Sequence, residues 1–98
     1  MIIKDVKVGR DIWADSVKSF SAPNLEESEC IYTYSAKSFS VPKLKKAEGI
    51  HTELVKFFST PNLKEVWDIG IPSAKEFSAP NLIEARTIYA YSAETIEL

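Results

Sequence analysis

The sequence predicts a mainly β fold, a parallel β-solenoid of about five turns, on three observations. A phrase of Phe, Ser, one small or β-branched residue and Pro recurs every 19 residues without insertion, at positions 20–23, 39–42, 58–61 and 77–80. Other apolar residues repeat at the same interval. The interval is too short for two full helices, and a proline in each unit opposes a helix. A strict period of this kind means that each unit is one turn, which buries its apolar side only against its neighbours.

Residues one period apart form columns, and five of these columns are largely apolar. The columns are Phe20, Phe39, Phe58, Phe77 and Ile96; Val6, Leu25, Leu44, Leu63 and Leu82; Ile12, Ile31, Ile50, Ile69 and Ile88; Val17, Ala36, Val55, Ala74 and Ala93; and Gly9, Ser28, Ala47, Val66 and Ala85. We expect these five columns to line the inside of the coil.

Two stretches of each turn alternate apolar and polar residues, as half-buried strands do. One is Phe-Ser-Ala, ended by proline, and the other begins at the repeated isoleucine, as in residues 31–34 and 88–91. Equivalent strands of successive turns should pair in parallel, about 4.8 Å apart, with the prolines at strand ends. The segment between the proline and the isoleucine forms either a corner or one short helical or 3₁₀ turn.

The 98 residues form one predicted repeat domain, with residues 1–10 as an N-terminal cap and turns at about 11–29, 30–48, 49–67, 68–86 and 87–98. The net charge of −2 and a pI near 5.4 argue against nucleic acid as a partner. A single cysteine, Cys30, allows no intrachain disulfide and no cysteine metal cluster. The first residues contain no long apolar run. We therefore expect a cytoplasmic protein without a membrane partner.

The pattern P-x-L-x-x-A-x-x-I, followed by A-x-x-F-x-A-P, resembles the BspA-like leucine-rich repeats. The resemblance covers nearly the whole chain, from about Val6 to Leu98. It implies a leucine-rich-repeat-like solenoid that binds other macromolecules, usually proteins. The repeat here is shorter than that of the family, and the family's cysteine is lacking.

Aromatic residues occupy the positions that flank the inward isoleucine. They are predicted to share one sheet face and to bind a protein partner: Trp13, Tyr32, Tyr34, His51, Tyr89 and Tyr91. Exposed Trp and Tyr carry much of the energy at protein interfaces. The alternative is an aromatic ladder that only stiffens the sheet.

The third and fourth turns depart from the consensus. Leu54 replaces a serine, Phe57 stands in a column of Ser and Glu, and Trp67 stands in a column of Glu and Arg. Phe57 and Trp67 are predicted as further partner contacts; the alternative is that they pack against neighbouring loops. The two lie on different sides of the consensus turn.

A ladder of lysines is a candidate anion-binding surface; its members are Lys18, Lys37, Lys56 and Lys75. The alternative is a solvated edge that discourages aggregation of the sheet. At the C-terminus, Thr95, Ile96 and Leu98 begin another strand. We predict that they form an oligomer interface, which closes the stack on a second copy or on another protein.

Catalysis finds little support in the sequence. His51 occupies an aromatic column, and the repeat places no histidine beside Cys30. No glycine-rich phosphate loop and no metal-ligand spacing are found, so we expect no enzyme activity, no metal and no cofactor. The predicted function is a protein-binding solenoid. The alternatives are a small phage or mobile-element inhibitor of a host complex, and a self-assembling structural protein.

Overall fold

A computed structural model describes all 98 residues and contains ten strands and no helix. In chain order the strands are β1 (Ile12–Trp13), β2 (Ser19–Ser21), β3 (Glu27–Thr33), β4 (Ser38–Ser40), β5 (Lys46–Thr52), β6 (Phe57–Ser59), β7 (Glu65–Gly70), β8 (Glu76–Ser78), β9 (Glu84–Tyr89) and β10 (Thr95–Glu97). The odd-numbered strands form one five-stranded parallel sheet in the order β1-β3-β5-β7-β9. The even-numbered strands form a second wall. The predicted parallel β-solenoid is confirmed.

The register of the strands follows the sequence period. Ile31 pairs with Ile12 on one side and with Ile50 on the other, and all named strand pairings keep this offset of 19. The inward phenylalanines consequently stack on one another. The ring centroids of Phe39 lie 5.5 Å from those of Phe20 and 5.6 Å from those of Phe58. Equivalent side chains therefore share one environment, as the repeat predicts.

The long strands begin earlier than the alternation predicts. In β3, Ser28 and Ile31 are buried, while Glu29 and Cys30 between them are only half-buried. Two successive residues that both avoid the interior break the two-residue period of a strand. The long strand therefore bends at this point and covers two faces of the coil.

A tight β-turn, and not a helical turn, follows each short strand. The Leu25 N–H donates to the Ala22 carbonyl at 3.3 Å, and the three later repeats make the same bond at 3.1–3.3 Å. Proline is the second residue of each of these turns, where its fixed φ fits. A type II turn needs a positive φ at its third residue, and no residue of the chain has one. The turns are therefore of type I.

Asparagine side chains join the proline turns of successive repeats. The Asn62 Nδ2 donates to the Pro42 carbonyl at 2.7 Å, and the Asn81 Nδ2 donates to the Pro61 carbonyl at 2.6 Å. Each bond spans 20 residues of sequence. The third turn residue therefore fastens its own repeat to the preceding one.

A second β-turn closes the other end of the long strands. The Ala74 N–H donates to the Ile71 carbonyl at 3.2 Å, with Pro72 as the second residue of the turn. Pro72 stands where the second and fifth turns have Tyr34 and Tyr91, and it suits the turn because proline favours its second position.

The ends of the stack depart from the column prediction. Val6 and Ile96 belong to inward columns, yet Val6 is 36% exposed and Ile96 is 55% exposed. Each of them has a stacked neighbour on one side only. Residues 1–10 continue the coil as a partial turn, in which Ile2 pairs with Ser21 and Val8 with Glu27.

The wall of short strands is interrupted between the second and third turns. β2 pairs with β4, β6 pairs with β8, and β8 pairs with β10, but β4 does not pair with β6. The five-stranded sheet has no such break. The stack is therefore continuous on one side and split on the other.

Candidate functional site

The candidate site begins with three aromatic rings on the outer surface of neighbouring long strands. Trp13 of β1, Tyr32 of β3 and His51 of β5 follow one another at the pairing register. The Trp13 and Tyr32 ring centroids are 4.0 Å apart with 11° between the ring planes, and those of Tyr32 and His51 are 5.3 Å apart with 10°. We call these three residues the aromatic ladder.

The ladder ends at His51 because the next strand has glycine in this column. A Cβ atom at Gly70 would lie 3.0 Å from the His51 Nδ1, and one at Gly49 would lie 2.9 Å from the Nε2. Such contacts are closer than the packing of an ordinary side chain allows. The two glycines therefore leave the space that the imidazole occupies.

Cys30 and His51 both border the space above Gly49. The Cys30 Sγ lies 3.1 Å from the point that a Gly49 Cβ would occupy, and the His51 Nε2 lies 2.9 Å from it. Gly49 pairs with Cys30 in the sheet, and His51 pairs with Tyr32, so the two side chains are placed diagonally on neighbouring strands. A comparison of residues one period apart does not predict this arrangement, because Cys30 and His51 belong to different columns.

Cys30 also perturbs its neighbour Tyr32. The side-chain hydrogen bond with Cys30, followed by desolvation and by nearby negative charge, raises the pKa of Tyr32 to about 12. The Cys30 N–H donates to the Asp11 Oδ1 at 3.0 Å, which places that carboxylate at the same edge. The neutral phenol of Tyr32 is therefore the favoured form over the whole physiological range.

The remaining predicted aromatic residues divide between two places. The ring centroids of Tyr34 and Tyr32 are 6.0 Å apart, so Tyr34 extends the ladder. Tyr89 and Tyr91 form a second pair at 5.9 Å. Tyr34 and Tyr91 lie just after their long strands and not within them. The fourth turn, which carries Gly70 in place of an aromatic residue, separates the two groups.

Phe57 and Trp67 lie on different walls of the coil. Phe57 is on β6 of the short-strand wall and is 68% exposed. Trp67 is on β7 of the long-strand sheet, and the Arg86 guanidinium lies over its ring at 4.8 Å from the centroid. This geometry is a cation–π contact. The structure does not bring Phe57 and Trp67 together.

The predicted lysine ladder lies along an exposed edge of the coil. Its members, Lys18, Lys37, Lys56 and Lys75, occupy equivalent positions just before the short strands. None of the four has a carboxylate oxygen within 4.0 Å. Elsewhere, Lys45 reaches Glu26 at 3.4 Å and Lys46 reaches Glu65 at 3.9 Å, each one turn away. The ladder therefore carries positive charge without ion pairs.

The predicted oligomer interface lies in and beside β10, which pairs with β8 on one side only. Thr95, Ile96 and Leu98 are all exposed. An exposed apolar side chain that the sequence analysis missed is Ile83, which is 79% exposed and stands in a column of Lys and Glu.

The structure groups no three His, Cys, Asp or Glu side chains in a way that would hold a metal ion. It also contains no apolar helix of the length that spans a membrane. Comparison of the chain with models of known families, with curated proteins and with solved structures gives no match.

Proposed function

We propose that the chain is a non-catalytic recognition module that binds a protein partner through the aromatic ladder, Tyr34, Tyr89 and Tyr91. The observation that carries the proposal is a row of stacked rings on the outer surface, in which Trp13 is exposed and Tyr32 and His51 are half-buried.

Stacking fixes the rings before a partner arrives. Tyr32 lies between Trp13 and His51, nearly parallel to both. A side chain that is already held in one orientation loses little conformational entropy on binding. Rigid aromatic anchors of this kind are common in binding surfaces. The ladder therefore offers contact area at a low cost of ordering.

Exposure leaves the rings available to a partner. Trp13 is 64% exposed and Tyr91 is 79% exposed. The hydroxyl groups of Tyr34, Tyr89 and Tyr91 form no hydrogen bond within the chain. These three hydroxyl groups are therefore available to hydrogen-bond with a partner that packs on the rings, and Tyr at interfaces commonly combines apolar and polar contacts in this way.

The spacing of the two aromatic groups suggests a partner with two contacts. His51 and Tyr89 lie on strands that are separated by one intervening strand, β7. Neighbouring strands are about 4.8 Å apart, so the two side chains leave their strands about 10 Å apart. Gly70 and Pro72 lie between the two groups. We expect one partner segment to contact both groups across this gap.

The assignment to BspA-like leucine-rich repeats belongs to the same proposal. The repeat stack of 19-residue turns is compatible with a repeat family of this type. The family's usual role in binding macromolecules supports a recognition function. The cytoplasmic location stays a prediction.

Affinity purification from the native host tests the proposal. We expect the wild-type chain to recover a partner and the Tyr32→Ala/Tyr89→Ala variant to recover much less of it. Ile83→Ser is the control, because Ile83 is an exposed apolar residue that lies outside the site. Thermal unfolding of all three proteins checks that the substitutions leave the fold intact. Equal recovery by the double variant would show that the rings only stiffen the sheet.

Self-association is a second candidate, supported by the exposed apolar side chains of Ile96 and Leu98 on the unpaired side of β10. Sedimentation velocity over a range of concentrations distinguishes a monomer, a dimer and a filament. An Ile96→Ser/Leu98→Ser variant should shift any oligomer toward monomer. A role as an inhibitor of a host complex uses the same aromatic surface, and identification of the recovered partner distinguishes it from other recognition functions.

A further inference from the structure

The third turn lacks several backbone hydrogen bonds that equivalent residues make in other turns. In the second, fourth and fifth turns an N–H donates across the second β-turn, for example from Ala36 to Thr33 at 3.2 Å. The equivalent bond from Val55 to Thr52 is missing in the third turn, as is the bond from Val17 to Ala14 in the first turn. The bonds that would join the third turn to the second are missing as well, since neither Lys56 nor Val41 donates a backbone hydrogen bond. Residues 53–57 therefore lack backbone hydrogen bonds toward the second turn, while the Lys56 carbonyl still accepts from Lys75 and Glu76 of the fourth turn.

Apolar side chains fill this opened segment in place of the usual polar ones. Leu54 replaces the serine of four other turns, and Phe57 replaces Ser, Glu or Thr. They are 44% and 68% exposed, while their neighbours Val55 and Phe58 are buried in the core. The exposure of Leu54 and Phe57 is therefore not a loss of core packing. These two side chains are additions to the outer surface.

Positive charge borders the two apolar side chains. Lys37 and Lys56 line one shallow groove together with Leu54 and Phe57. Neither lysine has a carboxylate within ion-pair distance. The Lys37 carbonyl and the Lys56 N–H have no hydrogen-bond partner in the chain. The groove thus combines apolar area, unpaired positive charge and free backbone groups. We call it the third-turn groove.

We propose that the third-turn groove is a docking site for an extended segment of a partner protein that carries apolar residues between carboxylates. The charge of the groove selects an acidic segment, because carboxylates beside Lys37 and Lys56 replace ion pairs that the chain itself does not make. Leu54 and Phe57 select apolar side chains between the carboxylates. The free N–H and carbonyl at the break can bond the backbone of an extended segment, as a sheet edge does. This surface is distinct from the aromatic ladder and does not depend on it.

An NMR titration with defined peptides tests the proposal. The probe is an acetylated and amidated pentapeptide, EFELE, and its comparison peptides are QFQLQ and EGEGE. We expect EFELE to shift the amide signals of Lys37 and of residues 53–59. Both comparison peptides should bind at least about tenfold more weakly, because each lacks one of the two kinds of contact. About 0.5 M salt should weaken the EFELE complex, since it screens the charges.

The matched variant restores the residues of neighbouring turns. Leu54→Ser/Phe57→Ser places the consensus side chain at both positions, so we expect the fold to be retained and the affinity for EFELE to fall about tenfold or more. Ile83→Ser is the control and should leave the affinity unchanged. Equal binding of EFELE by the double variant, equal binding of EGEGE, or shifts confined to other parts of the chain would overturn the proposal. Absence of binding by EFELE would overturn it too, and binding of a sulfated oligosaccharide along the lysine ladder would then assign the positive charge to a different ligand.

Discussion

Thr60→Val should make the protein more stable. Thr60 is fully buried, and its Oγ1 has no hydrogen-bond partner. A buried hydroxyl without a partner costs about 1–3 kcal/mol in lost hydration. Valine has nearly the same shape as threonine and has no polar atom to bury. Val41 already occupies the same column one turn earlier, where it is buried.

The expected gain is about 1 kcal/mol, at the lower end of that range, since small movements of neighbouring groups recover part of the cost. For a domain of this size, 1 kcal/mol corresponds to a rise in melting temperature of about 4–8 °C. Urea unfolding measures the gain directly as a shift of the midpoint with an unchanged slope.

Thr60→Ser is the matched control because it keeps the hydroxyl and removes the methyl group. It should lower the stability by about 1 kcal/mol, the contribution of one buried methyl group. The two substitutions therefore move the free energy of unfolding in opposite directions. A Thr60→Val protein that is less stable than the wild type would refute the reasoning, since it would show that the hydroxyl makes a favourable bond in the folded state.

Two further predictions follow from burial and from the site. Phe58→Ala should lower the free energy of unfolding by about 3–5 kcal/mol, whereas Ile96→Ala in the same column should lower it by under about 1 kcal/mol. The two losses differ because Phe58 is buried and Ile96 is largely exposed. Chemical denaturation measures both, and similar losses would contradict this account of the column. The pKa of Tyr32 is raised from 10.0 to about 12, so its stabilising contribution is complete below pH 10 and is lost as the pH rises from 10 to about 12. Cys30→Ala should return the pKa of Tyr32 toward its usual value, which ultraviolet difference titration of the phenol measures; an unchanged titration would show that Cys30 is not the main cause.

The sequence predicts the stack, the register and most of the core, because each of these depends on the period alone. Phe20 and Phe39 are one period apart, and the structure stacks them. The extent of the long strands was wrong. The bend at Glu29 and Cys30 breaks simple alternation, and a strand that covers two faces carries no two-residue period across the bend.

Parts of the candidate site could not be predicted by comparing residues one period apart. The placement of Cys30 and His51 around Gly49 depends on side-chain directions and on the small size of Gly49. The break beside Leu54 is a loss of backbone hydrogen bonds, to which the substitution of serine by leucine was only an indirect sign. Columns predict which residues are equivalent, and they do not predict how one turn differs from the next.

The break between β4 and β6 also bears on how the domain loses its structure. The backbone bonds between repeats join residues 18–20 positions apart, in neighbouring turns, so unfolding spreads from one repeat to the next. At the break the short-strand wall contributes no backbone bonds, and the long-strand sheet, the bond from Asn62 to Pro42 and the packing of Phe39 on Phe58 carry this coupling. Amide hydrogens of Val41 and Lys56 should therefore exchange with solvent faster than those of the equivalent Thr60 and Lys75. The break in the middle of the coil, and not only the two ends, then limits how cooperatively the repeats unfold.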